Sequence, residues 1–254
     1  MSLGNFLSGD LIGLAFVVAF CALIIIFTYI VRKKSLLSLR EIRAFNRVEG
    51  AIGKAVEAGK RLQISIGWGK VFGIQGGSGL LGLSVLERIS RTASISDRPP
   101  VTSSGDGTLS IMSQDTLRST LHAIGADSRY DPDSGRLAGL TPFSYAAGTI
   151  PVIYDEEVST TILAGHFGSE VALITDASER NDAMSLAGSD SVSAQAVLYA
   201  TADEPLIGEE IFAAGAYLKA GPVHIASLHS QDVFRWLLAG IILIGALLKL
   251  VGVI

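Results

Sequence analysis

Two apolar runs, one near each end of the chain, constrain its fold more than anything between them. Leu11 to Val31 is 21 residues without a charged side chain, and Trp236 to Ile254 is 19 residues whose only charge is Lys249. As helices, each is long enough to cross the roughly 30 Å of hydrocarbon in a bilayer. A mean hydropathy of +0.46, with 49% hydrophobic and only 17% charged residues, fits membrane attachment better than a purely soluble globule. The residues between the runs, roughly 200, suffice for one domain with a real core.

A cleaved secretory signal does not fit the first run. Met1 to Asp10 holds no Lys or Arg, the run outlasts a signal's apolar stretch, and Arg32, Lys33 and Lys34 follow it instead of a small-residue cleavage site. It reads as a retained anchor with its basic flank in the cytoplasm, so the N-terminus is expected outside and residue 32 onward inside. The last helix then runs outward, with Arg235 at the cytoplasmic border and Lys249 snorkelling at the outer end. The expected division is an extracytoplasmic tail over 1–10, a first span over 11–31, a basic juxtamembrane amphipathic helix over 32–61, a cytoplasmic α/β domain over 62–232 and a second span over 233–254.

The net charge of −4 hides an uneven distribution. Arg32 to Arg61 carries nine Lys and Arg against three acids, a balance of +6, and the rest carries 11 basic against 21 acidic residues, or −10. A basic strip beside an anchor suits the lipid bilayer's anionic inner surface. The acidic remainder argues against nucleic-acid binding, which depends on neutralising phosphates. The one cysteine, Cys21, lies inside the first span, so a disulfide within the chain or a cysteine-based zinc cluster is excluded.

Between the anchors the pattern alternates. Leu36, Leu39, Ile42, Phe45, Val48, Ile52 and Val56 recur at helical spacing, with Ser35 as the cap. Leu62 to Ile66 alternates like a strand, a glycine-dense loop follows over 67–79, and a helix is expected over about 80–94. The pattern repeats as a strand over 100–103 and a helix over 109–124, then a turn-rich excursion over 127–142 and a short helix over 143–148. A β-branched strand over 160–164 and a helix from 168 to 182 come next. Residues 183–194 read as small and polar, 195–201 as strand or helix, and 205–218 as a helix. Such alternation predicts an α/β fold, a mostly parallel Rossmann-like sheet covered by helices and flanked by the two transmembrane helices.

Several phrases resemble a known family. EAGKRLQISIGWG (57–69), TPFSYAAGT (141–149), HFGSEVALI (166–174), ADEPLIGEEIFAAGAYL (202–218) and HIASLHSQDVFRWLL (224–238) are similar to a prokaryotic membrane-anchored family known only as a domain of unknown function. The resemblance covers about residues 36–245, and its fourth phrase is the most specific. It implies a compact membrane-associated domain in a prokaryotic inner membrane, and it transfers no reaction, cofactor or catalytic residue.

The sharpest motif is Gly77-Ser-Gly79-Leu-Leu-Gly82, a G-x-G-x-x-G at the start of a helix, with Asp106 at the end of the next strand. In a dinucleotide site the glycines admit a pyrophosphate to the helix N-terminus and the acid holds the ribose. Ten residues separate Ile66 from Gly77, where that fingerprint follows its strand almost directly, so tight helix packing is the preferred reading. No P-loop pattern is present. His166 and Glu170 follow the 160–164 strand, where an open α/β sheet presents its crevice; a base with an orienting carboxylate competes there with a loop histidine and a first-turn charge. Glu209 and Glu210 read as first-turn charge, and His122, His224 and His229 have no partner that spacing identifies. Ala15, Ala19 and Ala22, with Gly240 and Gly245, predict close helix contacts within the hairpin or between subunits.

With no complete catalytic set, the expected function is a non-enzymatic, homo-oligomeric membrane scaffold that organises a larger complex, with no cofactor and no metal. The competing expectation is a nucleotide- or small-ligand-binding enzyme or sensor using Gly77, Gly79, Gly82 and Asp106, with His166 and Glu170 in the same crevice.

Overall fold

The structure is a computed structural model that describes residues 3–33, 39–73, 75–93, 96 and 98–250; Lys34 and Ser35, the expected end of the basic flank and helix cap, and the last four residues of the expected second span lie outside that set. The chain divides into two compact units, one of them Glu41–Ala220 and the other holding the described residues before Glu41 and after Ala220. The sequence instead placed the divisions at 61/62 and 232/233. The first shifts because α2 (Arg43–Glu57), expected as a juxtamembrane helix, belongs to the α/β core: its apolar stripe Phe45, Val48, Ile52 and Ala55 is buried there. The second shifts because the last helix is continuous from Pro222.

Glu41–Ala220 forms a doubly wound α/β fold. Its strands are β1 (Arg61–Gly67), β2 (Val101–Ser104), β3 (Gly135–Leu137), β4 (Val158–His166), β5 (Met184–Ser189) and β6 (Glu204–Leu206). They form one six-stranded sheet in the order β3-β2-β1-β4-β5-β6, with every pairing parallel. This is the Rossmann order, and the predicted Rossmann-like parallel sheet is confirmed. The central strands read apolar because both faces are covered: β1 is buried from Leu62 to Gly67, and β4 from Thr160 to Gly165. Side chains alternate between two cores. Leu62, Ile64, Ile66 and Ile162 pack with α2, α3 (Gly76–Ala93), α4 (Gly107–Ala123) and α8 (Glu210–Tyr217). Leu163, Phe167 and Ala187 pack with α5 (Pro142–Asp155), α6 (Val171–Arg180) and α7 (Val192–Thr201) on the other.

Three short elements differ from the sequence reading. The MSLAGS segment is strand β5; its small residues fit between helices on both faces. The helix expected over 205–218 starts only at Glu210, because Glu204–Leu206 pairs with β5 as an edge strand, where Pro205 costs no ladder bond on its outer side. β3 lies within the excursion read as turns. Phe45 stacks on Tyr217 with centroids 5.0 Å apart, which brings the entry helix of this unit beside its exit helix.

The other unit is a pair of long helices, α1 (Leu3–Lys33) and α9 (Pro222–Leu250). Both are long and apolar enough to cross a membrane. They run antiparallel, since Phe16 and Phe20 meet Phe234 at 4.5 and 5.7 Å while Phe27 meets His229 at 5.9 Å.

Candidate functional site

In a doubly wound sheet a ligand crevice is expected where the connections leave in opposite directions, at the C-terminal ends of the strands. Here that switch point lies between β1 and β4. Gly67 ends β1 with φ +83, and a Cβ there would stand 2.2 Å from the His166 backbone oxygen, so only glycine lets the strand ends meet so closely. Trp68 follows directly. Its backbone N–H donates to the His166 carbonyl at 3.1 Å, its ring lies edge-on to the His166 ring at 4.7 Å, and its indole N–H donates to Glu170 Oε1 at 2.6 Å. Gly105, beyond β2, leaves room for Trp68: a Cβ there would lie 2.5 Å from the Trp68 Cβ.

The two crevice residues predicted from sequence are therefore both at the switch point, joined through Trp68. Glu170 is 3% exposed, and the same oxygen that takes the indole proton also accepts the Gly168 N–H at 2.7 Å. It is the N-cap residue of α6, one position before the first turn in which the sequence reading placed it, and a carboxylate there complements the helix dipole. The partner of His166 is Asp190, 2.6 Å from Nδ1 and just past β5. The pair is partly open to solvent, with side-chain exposures of 13% and 21%. Sequence reasoning missed Asp190 because β5 had not been recognised, although an Asp directly after a central strand is the signal that finds it.

Beneath the switch point lies Tyr145, buried on α5. Its hydroxyl accepts the Gly67 N–H at 3.1 Å, donates to the Ser103 carbonyl at 3.1 Å and contacts the Ser65 hydroxyl, so one phenol ties β1 to β2. Burial pushes its pKa above the ordinary value, against the lowering effect of these hydrogen bonds, and the phenol stays neutral at physiological pH. Nothing in the spacing of TPFSYAAGT marks it as different from a packing aromatic.

The glycine motif occupies the first turns of α3. A Cβ at Gly82 would stand 2.4 Å from the Ala164 carbonyl and 2.8 Å from Ile66 Cγ2, so this position lets the helix press onto the sheet. Gly79 faces Leu109 at contact distance, and Gly77 has open space beside it. Asp106 caps α4, accepting the Thr108 and Leu109 N–H groups at 3.0 and 3.1 Å. Glycines and acid thus stand at the topological positions of a dinucleotide site, with Gly82 and Asp106 engaged in packing and capping.

The remaining residues singled out from sequence lie elsewhere. His122 pairs with Asp127 at 2.8 Å on the surface, Glu210 sits in the first turn of α8 with Glu209 just before it, and His224 and His229 belong to α9. At the opposite edge, where β4, β5 and β6 begin, a groove of about 910 Å³ holds charges of both signs, Arg47, Lys54 and Lys60 against Glu179, Asp182 and Asp203. Among the described residues, no group of three or more His, Cys, Asp or Glu side chains stands together to hold a metal ion.

Residues 4–254 match a sequence family described as a domain of unknown function (DUF6754), which is nearly the whole chain. No curated protein and no solved structure matches it.

Proposed function

The chain belongs to the DUF6754 family, and from that premise we propose that it is a membrane-anchored, homo-oligomeric scaffold or assembly protein, non-enzymatic, whose α/β domain works by contact with protein surfaces. One observation carries this reading: the groups at the switch point bind each other. Glu170 is spent on Trp68 and Gly168, and the Trp68 ring packs against His166. Around the same edge, the loops leaving the strands and the first turns of the helices that follow expose large apolar side chains, Phe72 after β1, Leu140 and Phe143 after β3, and Val192 after β5. In this reading the chain crosses a prokaryotic inner membrane twice, with the domain in the cytoplasm and both termini outside, as the Arg32–Lys33 flank of α1 favours.

Native mass spectrometry of the full chain released in mild detergent tests it. The expected result is an assembly of several copies with no added small-molecule mass. A monomer, both in detergent and in lipid nanodiscs, overturns the reading. A second reading, a nucleotide- or small-ligand-binding enzyme or sensor, rests on the partly open His166–Asp190 pair at the switch point. A monomer or dimer carrying several hundred daltons that match no lipid supports it, and Gly79→Val then abolishes the added mass without unfolding the protein.

A further inference from the structure

The pairing of α1 with α9 has its two apolar runs out of step. The ring contacts set residues 229–234 of α9 against residues 16–27 of α1, the middle of a charge-free run that extends from Leu11 to Val31. Gln231 and Arg235 line a cleft of about 250 Å³ together with Phe16, Phe20, Phe234 and Leu238, which places the polar part of α9 at the same level. Asp232 and Arg235 pair there at 3.3 Å, and both side chains are about half exposed, at 54% and 50%. The apolar run of α9 begins only at Trp236.

Centring α1 in a bilayer therefore sets an ion pair at mid-depth, where charged side chains are costly to place. Centring the α9 run instead lifts the domain-side half of α1, with exposed Ile25, Ile26 and Tyr29, out of the hydrocarbon. A covering surface that is apolar yet carries charges at this level removes either penalty. A second copy of the same hairpin has that composition. Asp232 and Arg235 lie three residues apart on one helix, so across a twofold axis along the membrane normal the acid of each copy stands about one turn, roughly 4.5 Å along the axis, from the base of the other, and the two diagonal pairs are equivalent. His229 adds a buried Nε2 with no hydrogen-bond partner one turn away.

We infer that Asp232 and Arg235 form the contact between copies of this chain, each Asp232 pairing with the Arg235 of another copy within the membrane. This rests on the homo-oligomeric reading above and names the surface responsible.

The test uses two differently tagged full-length variants in nanodiscs of phosphatidylethanolamine and phosphatidylglycerol. Asp232→Arg carries two bases on this face and Arg235→Asp two acids. Each alone is expected to lose self-association at least tenfold, while the two together restore it; an ion pair made only within one chain gives no such rescue in trans. Should either variant fail to insert, Ala239→Cys in a Cys21→Ser background leaves the charges intact and lies one turn along the same face. Oxidation is expected to link it into dimers. Wild-type assembly that both charge variants retain, or that leaves Ala239→Cys unlinked, overturns this contact and spares the oligomer. A wild-type monomer overturns both, and capture of a different membrane protein on this face in place of a second copy overturns the contact.

Discussion

Replacing Tyr145 with Phe removes one oxygen from the centre of the α/β unit and leaves the ring in place. The hydroxyl accepts the Gly67 N–H and donates to the Ser103 carbonyl, both at 3.1 Å, inside a site with no solvent exposure. Leaving buried groups without a partner costs about 1–3 kcal/mol, and since these strand ends keep other neighbours the expected loss is about 2–3 kcal/mol. For a unit of this size each kcal/mol is worth about 2–4 °C, so the melting temperature should fall by about 4–12 °C. Circular dichroism of the full chain in detergent reads it, and a shift under about 2 °C would refute the claim that the phenol ties β1 to β2. The alkaline limb gives an independent check. Because burial raises the pKa of Tyr145 above 10.0, the unfolded chain releases this proton first as pH rises, binds fewer protons than the folded chain, and stability falls above about pH 10. The phenylalanine variant lacks that loss, so the gap between the two proteins should narrow from about pH 9 to about pH 11. A constant gap would sink the argument for a phenol held neutral by burial.

Gly82→Ala should lower the melting temperature as well, since its methyl group would stand 2.4 Å from the Ala164 carbonyl; overpacking of this kind costs about 1–3 kcal/mol. A wild-type melt would show that α3 can move off the sheet freely. Glu170→Ala strands the Trp68 indole N–H and the Gly168 N–H, with an expected cost of about 2–3 kcal/mol and altered tryptophan emission. Glu170→Gln keeps an acceptor oxygen and should recover much of that loss; equal melting of the two variants would argue against the hydrogen bonds.

The length and apolarity of α1 and α9, the α/β class and the position of β1, β2 and β4 were legible in the chain because each is a local pattern, a charge-free run or a strand followed by a glycine loop and a helix. Likewise His166 and Glu170 were found because they follow a recognisable strand. Asp190, Trp68 and Tyr145 were not: they reach the site from β5, from the end of β1 and from α5, and what joins them is the strand order, which brings β4 beside β1 although 90 residues separate Gly67 from Val158. β6 was hidden because Pro205 and the apolar spacing after it suit a helix, and only the exposed edge of β5 makes a strand there favourable. The glycine motif is the clearest case of the division. Its distance from β1 already favoured a close-packed helix over a nucleotide loop, but the partners of Gly82, the Ala164 carbonyl on β4 and Ile66 on β1, come from strands that local sequence cannot place, whereas Asp106 caps its own helix through the Thr108 and Leu109 N–H groups.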